Sequence, residues 1–348
     1  MKELDKNLVV DQKIDKRGIV FHNFEKAPFK SYGGIKKEAD GLIYRMPREV
    51  AEKINNGVLG LCTNTAGGRV RFRSNSKKIA IMAKYESIIK RPHMAMTGIA
   101  GMDLFSNDIF LGCFVPPTEM PNNAYESVIY IPGEKLERDL TINLPLYANL
   151  TELYIGIEEG ATLSEPSPYK SEKPIVYYGS SITQGACASR PGASYQSHIS
   201  RWFDCDYINL GFSGSAHGEE RMADYISTLD MRAFVCDYDY NASSPEYLET
   251  THLAFYRRIR AAHSDIPIIF MTRPNGLVES DRLRRRGIIK RTYETAILEG
   301  DKNVYFLDPT EHMPFYANEG MVEGVHPSDL GFYFIAKALQ TILKDMII

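Results

Sequence analysis

Five short apolar runs, Ile175 to Tyr178, Tyr207 to Leu210, Phe234 to Asp237, Ile266 to Met271 and Val304 to Leu307, alternate with helix-length stretches through the second half of the chain. Apolar runs of this length read as buried strands, and strands alternating with helices build βαβ units around a parallel sheet. Helices are predicted over about 193–203, 219–227, 245–263, 280–298 and 327–345. The fold class is therefore α/β: a flavodoxin-like three-layer α/β/α sandwich on a five-stranded parallel sheet.

The first half has another rhythm. Arg69-Val70-Arg71-Phe72-Arg73 alternates charge and bulk at period two, which predicts a strand with one wet and one buried face. Similar runs recur at Lys78 to Met82, Ser127 to Ile131, Leu140 to Leu144 and Leu153 to Ile157. Turn clusters such as Thr65-Ala66-Gly67-Gly68 and Pro132-Gly133 separate them. Many short strands with Gly and Pro punctuation predict an all-β sandwich, jelly-roll-like. A polar, proline-bearing stretch from Leu163 to Lys173 follows. The expected organisation is a β domain over residues 1–165, a linker over 166–173 and the α/β domain over 174–348, and a length of 348 residues suits two domains.

Composition excludes several function classes. The hydrophobic fraction of 44% and charged fraction of 24% are those of a globular protein, and a net charge of -3 gives no general attraction to nucleic acid or an anionic membrane. The basic run Arg282, Arg284, Arg285, Arg286, Lys290 and Arg291 is diluted by Glu279, Asp281 and Glu294 and has no interleaved aromatics. It is expected as a solvated helix face. The charged start, Met1 to Asn7, leads into no long apolar core, so neither a signal peptide nor a membrane span is expected and the address is cytoplasmic. Five cysteines, odd in number and without metal-like spacing, are expected as free thiols, with Cys187 an apolar filler.

Four polar loops carry the chemistry. Tyr177-Tyr178-Gly179-Ser180-Ser181-Ile182-Thr183-Gln184-Gly185 turns from a strand toward a helix and presents two hydroxyls where open α/β sheets bind ligands. By itself that turn reads equally well as a glycine-bounded connection with serines as caps. Three more loops follow in order, each after a strand or before the last helix: Asn209-Leu210-Gly211-Phe212-Ser213-Gly214, Asp237-Tyr238-Asp239-Tyr240-Asn241 and Glu323-Gly324-Val325-His326-Pro327. A serine hydroxyl needs a neighbouring base to become a nucleophile, and an acyl carbonyl turning tetrahedral needs donors aimed at its oxygen.

In these four blocks the sequence resembles the SGNH hydrolases, also called GDSL esterases, and within them a two-domain bacterial branch with an N-terminal β sandwich. The resemblance implies Ser181 as nucleophile, His326 as base, and the Ser181 and Gly214 N–H groups with the Asn241 amide as the oxyanion hole. Ser180 stands where most of the superfamily has aspartate. Glu323 takes the place of the aspartate three residues before the histidine, and the sequence leaves open whether it or a backbone carbonyl orients His326. Gly211 is the rival to Gly214 and is expected to shape the turn. His217 could line the pocket. Asp237 and Asp239 lack a companion ligand cluster, so neither a metal nor another cofactor is expected. His198, His252 and His263 are expected as ordinary helix residues, and Tyr177, Tyr178 and Trp202 as core.

The same resemblance implies a serine esterase acting on short, acetyl-type esters of a small molecule or oligosaccharide. The alternatives are a short-chain acyl esterase or thioesterase on a non-sugar substrate, and an inactive saccharide-binding protein. Homo-oligomerisation is left open.

Overall fold

The computed structural model describes residues 10–274, 280–312 and 317–347; the Met1 to Asn7 stretch and Glu279 lie outside them. In chain order the first half carries β1 (Ile19–Asn23), β2 (Lys30–Tyr32), β3 (Lys36–Lys37), β4 (Ile43–Tyr44), α1 (Arg48–Ala51), α2 (Asn56–Leu61), β5 (Arg69–Ser74), β6 (Lys78–Ile88), α3 (Met96–Ile99), β7 (Met102–Ser106), β8 (Ile109–Phe114), β9 (Ala124–Tyr130), β10 (Arg138–Asn143) and β11 (Ala148–Glu158). The second half carries β12 (Ser171–Gly179), α4 (Ser181–Gln184), α5 (Tyr195–Phe203), β13 (Cys205–Gly211), α6 (Glu220–Ser227), β14 (Ala233–Asp237), α7 (Pro245–Ala262), β15 (Ile268–Met271), α8 (Ser280–Leu298), β16 (Val304–Leu307) and α9 (Asp329–Ile347).

The chain forms two compact units interleaved in sequence. One comprises the chain up to Tyr44, Thr63–Pro168 and Ser189–Gly192; the other comprises Arg45–Cys62, Tyr169–Ala188 and Ala193–Ile348. The excursion that carries α1 and α2 thus belongs to the α/β unit although it precedes most of the β strands.

The β unit contains two antiparallel sheets, ordered β1-β11-β6-β9 and β2-β5-β10-β7-β8. Their edge strands meet: the Tyr125 hydroxyl on β9 donates to the Phe114 carbonyl on β8 at 3.1 Å. Ile81, Ile155, Leu140 and Ile142 are fully buried, and each such side chain contributes roughly 1.5–3 kcal/mol. The expected wet face of β5 is wet only at Arg73, whose side chain is 40% exposed; Arg69 and Arg71 are buried. β5 lies between β2 and β10, Arg69 donates to the Gly67 carbonyl at 2.6 Å, and the Arg71 guanidinium lies over Tyr32 of β2 at 5.6 Å. Period two located the strand; long stems lying along a covered sheet defeated the inference about solvent.

The α/β unit holds a parallel sheet ordered β13-β12-β14-β15-β16. Its strands are the five apolar runs: the first three are extended by a residue or more, the fourth is trimmed at its start and the fifth, Val304–Leu307, coincides with β16. Every residue of β14 and β15 is buried, as a sheet covered on both faces requires. The helices carry the corresponding stripes: Phe332, Ile335, Ala336, Leu339 and Leu343 of α9 are fully buried at helical spacing. Starts and stops are local chemistry. Ser244 accepts the Tyr247 N–H ahead of α7 with Pro245 in its first turn, and Asp204 ends α5 in the left-handed region. Strand order reverses at β12, which has β13 on one side and β14 on the other. That is the switch point where ligands bind open sheets of this topology.

Candidate active site

Strand register brings three of the four polar blocks to one line. Gly179 at the end of β12 pairs with Gly211 of β13 and with Asp237 of β14. Beyond that line the blocks are stitched together. The Phe212 N–H donates to the Gly179 carbonyl at 2.8 Å and the Ser180 N–H to the Asp237 carbonyl at 2.9 Å. Asn241 Nδ2 donates to the Phe212 carbonyl at 2.9 Å. An amide nitrogen carries two hydrogens, so a second donor remains on Asn241.

Ser181 opens α4, with Ser180 as the cap that accepts the Ile182 N–H at 3.2 Å, and Gly185 closes this single turn in the left-handed region. Beneath it lies a buried polar network. The Thr183 carbonyl accepts from Gln196 Nε2 at 2.7 Å and Asn209 Nδ2 at 2.8 Å, and the Gln184 side chain accepts the Ser213 N–H at 3.0 Å. Thr183 Oγ1 donates to Asp237 Oδ2 at 3.2 Å. Burial, then the neighbouring Asp239 charge, push the Asp237 carboxyl well above the usual range, against the pull of Thr183 and Arg273.

Ser181 Oγ lies 2.8 Å from His326 Nε2, and His326 Nδ1 is in hydrogen-bond contact with Glu323 Oε1, which also accepts the His326 N–H at 3.1 Å. The extra methylene of glutamate thus finds room, because the carboxylate folds back along its own loop. Burial works against the Glu323 charge, but the His326 hydrogen bond and charge outweigh it and hold the carboxyl below its usual value. An ionised Glu323 only accepts, so Nδ1 carries the proton, Nε2 is the acceptor and the Ser181 hydroxyl donates. This is the arrangement in which a serine can lose its proton to an imidazole.

Gly214 has φ of +69°, and a side chain built there would meet nothing within 4 Å. Its requirement is conformational rather than steric. Gly211 is the reverse: a Cβ would lie 2.1 Å from the Gln184 nitrogen, so this glycine lets β13 close against the Ser181 turn. His217 Nε2 faces the Gly214 carbonyl at 3.1 Å, with Nδ1 3.5 Å from Glu219. Cys187 is buried and pushed up to about 12 by burial and the Glu323 charge, a filler rather than a thiolate. None of the five cysteines is in a disulfide. His252 is a buried core histidine lowered to about 3 by burial.

The basic run divides in two. Arg284 and Arg291 are solvated and paired with Glu246 and Glu249, as expected. Arg282 and Arg285 are buried, against expectation. Arg282 donates to Asp308 and to Thr310, and Arg285 Nη1 donates to the Asp239 and Ala242 carbonyls at 2.6 and 2.9 Å, bracketing Asn241. Asp239 is taken up by Arg273, which lies over Tyr240. Residues three and seven apart fall on the inner face of a helix as readily as the outer one, and the partners that decide between them come from loops distant in sequence.

Residues 172–344 match the GDSL-like lipase/acylhydrolase family, and residues 19–163 match a family described as the N-terminus of SGNH-hydrolase-type esterases. The chain belongs to the SGNH/GDSL hydrolases, in the branch with an N-terminal β domain, and is a carboxylic ester hydrolase. Among solved structures it is similar to a protein described as a GDSL-like lipase from Bacteroides ovatus, with 28% identity, 94% of this chain and 98% of that one covered, and a TM-score of 0.84. It shares its fold with a salicylyl-acyltransferase from a tetracycline biosynthetic pathway, at 19% identity, 94% and 98% coverage and a TM-score of 0.75. It also shares it with a family two carbohydrate esterase from Clostridium thermocellum solved with cellohexaose, at 15% identity, 91% and 98% coverage and a TM-score of 0.63. No curated protein matches it in sequence. No described helix is long and apolar enough to cross a membrane.

Proposed function

We propose that this protein is a cytoplasmic serine esterase that removes short acyl groups, acetyl above all, from saccharides of small or oligosaccharide size. Ser181 Oγ attacks the ester carbonyl as His326 Nε2 takes its proton, and the oxygen's growing charge is met by the Ser181 and Gly214 N–H groups and the second Asn241 amide hydrogen. Collapse releases the sugar hydroxyl, protonated by His326, and leaves an acyl group on Ser181. Water, deprotonated by the same imidazole, then frees the carboxylate. Glu323 holds the Nδ1 tautomer and stabilises the imidazolium. His217 steadies the carbonyl of Gly214 at the pocket edge.

The observation that carries this reading is the unbroken hydrogen-bonded series Ser181, His326, Glu323. The saccharide half of the proposal is supported by the carbohydrate esterase with cellohexaose that shares the fold. Incubation with acetylated cello- or xylo-oligosaccharides, with medium-chain esters and acyl thioesters alongside, tests it. Acetate release from the sugars by wild type and not by Ser181→Ala is expected. Faster turnover of the medium-chain ester or thioester would reject the sugar assignment, and equal background rates for both proteins would reject the enzyme.

A further inference from the structure

We infer that Arg45, a residue outside the 172–344 hydrolase match, is a positioning residue for the oxyanion loop; the inference rests on the site proposed above. Its side chain is 1% exposed. Nη1 donates to the Asn209 carbonyl at 2.8 Å and the Gly211 carbonyl at 3.0 Å, Nη2 donates to the Leu61 carbonyl at 2.9 Å, and the guanidinium carbon sits 4.8 Å over the Phe212 ring. One planar cation therefore holds three consecutive parts of the strand end that leads into Gly214: the carbonyl two residues before Gly211, that of Gly211 itself and the ring after it. Phe212 in turn offers its carbonyl to Asn241, so both distal donors of the oxyanion hole rest on the segment Arg45 grips.

The same excursion secures the loop from its far side. Asn55 caps α2 by accepting the Val58 N–H at 2.8 Å and donates through Nδ2 to the Ser215 carbonyl at 3.0 Å. Gly57 packs so closely that a Cβ there would lie 2.0 Å from Ser215 Oγ. Arg45 and Asn55 thus bracket Gly214, from residues that precede it by more than 150 positions. A buried guanidinium is costly to desolvate and persists only where its donors are met. A rigid fork fixes two carbonyls in one geometry, which a lysine ammonium on a flexible stem does not. Because the developing oxyanion is met only in the transition state, loosening this grip lowers kcat and leaves ground-state binding alone.

The test compares Arg45→Lys, Arg45→Met, Arg45→Gly and Ser181→Ala in the full chain, reading kcat and KM on an acetyl ester, melting temperature, and affinity for a trifluoromethyl ketone that mimics the tetrahedral adduct. The expected result is a kcat about 10²-fold lower in Arg45→Met, a smaller loss in Arg45→Lys, KM close to wild type, and ketone affinity falling with kcat. Millimolar guanidinium is expected to restore part of the rate in Arg45→Gly, a rescue that also serves if the other variants fold poorly. Wild-type kcat in folded Arg45→Lys and Arg45→Met, or a lower melting temperature without a change in kcat or ketone affinity, overturns the inference. Ser181→Ala separates the two levels: if it keeps full activity the site itself is wrong, and if it is inactive while the Arg45 variants are not, only the role of Arg45 fails.

Discussion

The nucleophile turn and the histidine loop meet at one hydrogen bond but are built in opposite ways. Ser180, Ile182, Thr183 and Gln184 are fully buried, and the turn hangs on side chains from α5, β13 and β14. The histidine loop runs exposed from Val322 to Val325. It is closed by its own atoms, the Val322 N–H on the His326 carbonyl at 2.8 Å and a bridge between Met321 and Pro327. One partner is positioned by the core, the other by a carboxylate three residues away. Position on the first side is a packing property, and on the second a property of charge and tautomer.

Substitutions on the two sides sharpen that contrast. His326→Ala removes the base and should lower kcat by roughly 10⁵-fold or more without unfolding the protein, measured by pre-steady-state and steady-state ester hydrolysis. Glu323→Gln keeps shape but removes the charge and the tautomer it selects, and a loss of about 10³- to 10⁴-fold in kcat is expected with an unchanged melting temperature. A loss under about tenfold would mean the main chain orients the ring, and the contrast would break there. Asn241→Ala removes one oxyanion donor, with about 10²- to 10³-fold lower kcat and KM nearly constant.

The smallest effect on rate is expected beneath the turn, from Asp237→Asn. The native carboxyl is raised well above its unfolded value by burial and by Asp239. Such a group contributes stability fully only below the unfolded carboxylate range near pH 4, and that contribution is lost as pH rises toward the folded value. Asparagine has no such dependence. The melting temperature of Asp237→Asn should therefore gain on wild type as pH rises above the unfolded carboxylate range, with activity little changed. A constant difference over that rise would show Asp237 to be ionised and paired.

Much of this was readable from residue order. Apolar run length gave the five parallel strands, because a covered strand leaves no room for polar residues. The four blocks pointed to Ser181, Glu323 and His326, which the fold brings into one hydrogen-bonded series, and to Gly214 and Asn241 as the proposed oxyanion donors, because each lies where a strand end or a final helix must expose a loop. What pattern could not supply was side-chain partnership. Arg69, Arg71, Arg282 and Arg285 look like solvent-facing charges until β2, β10 and the loops at Asp239 and Asp308 are folded against them. Thr183, Gln196 and Asn209 gave a fainter signal, polar residues inside otherwise apolar elements, whose meaning depends on contacts up to 26 residues apart. The excursion Arg45–Cys62 gave none, since its short helices are too brief to show a period.

The most direct test is to trap the acyl-enzyme. Rapid quenching of the protein with an activated acetate ester, followed by peptide mass spectrometry, should find a single acetyl group on Ser181, formed in a burst of one equivalent and absent in Ser181→Ala. An acetyl group on another residue, or product released with no burst and no adduct even in slow-deacylating His326→Ala, would contradict the account.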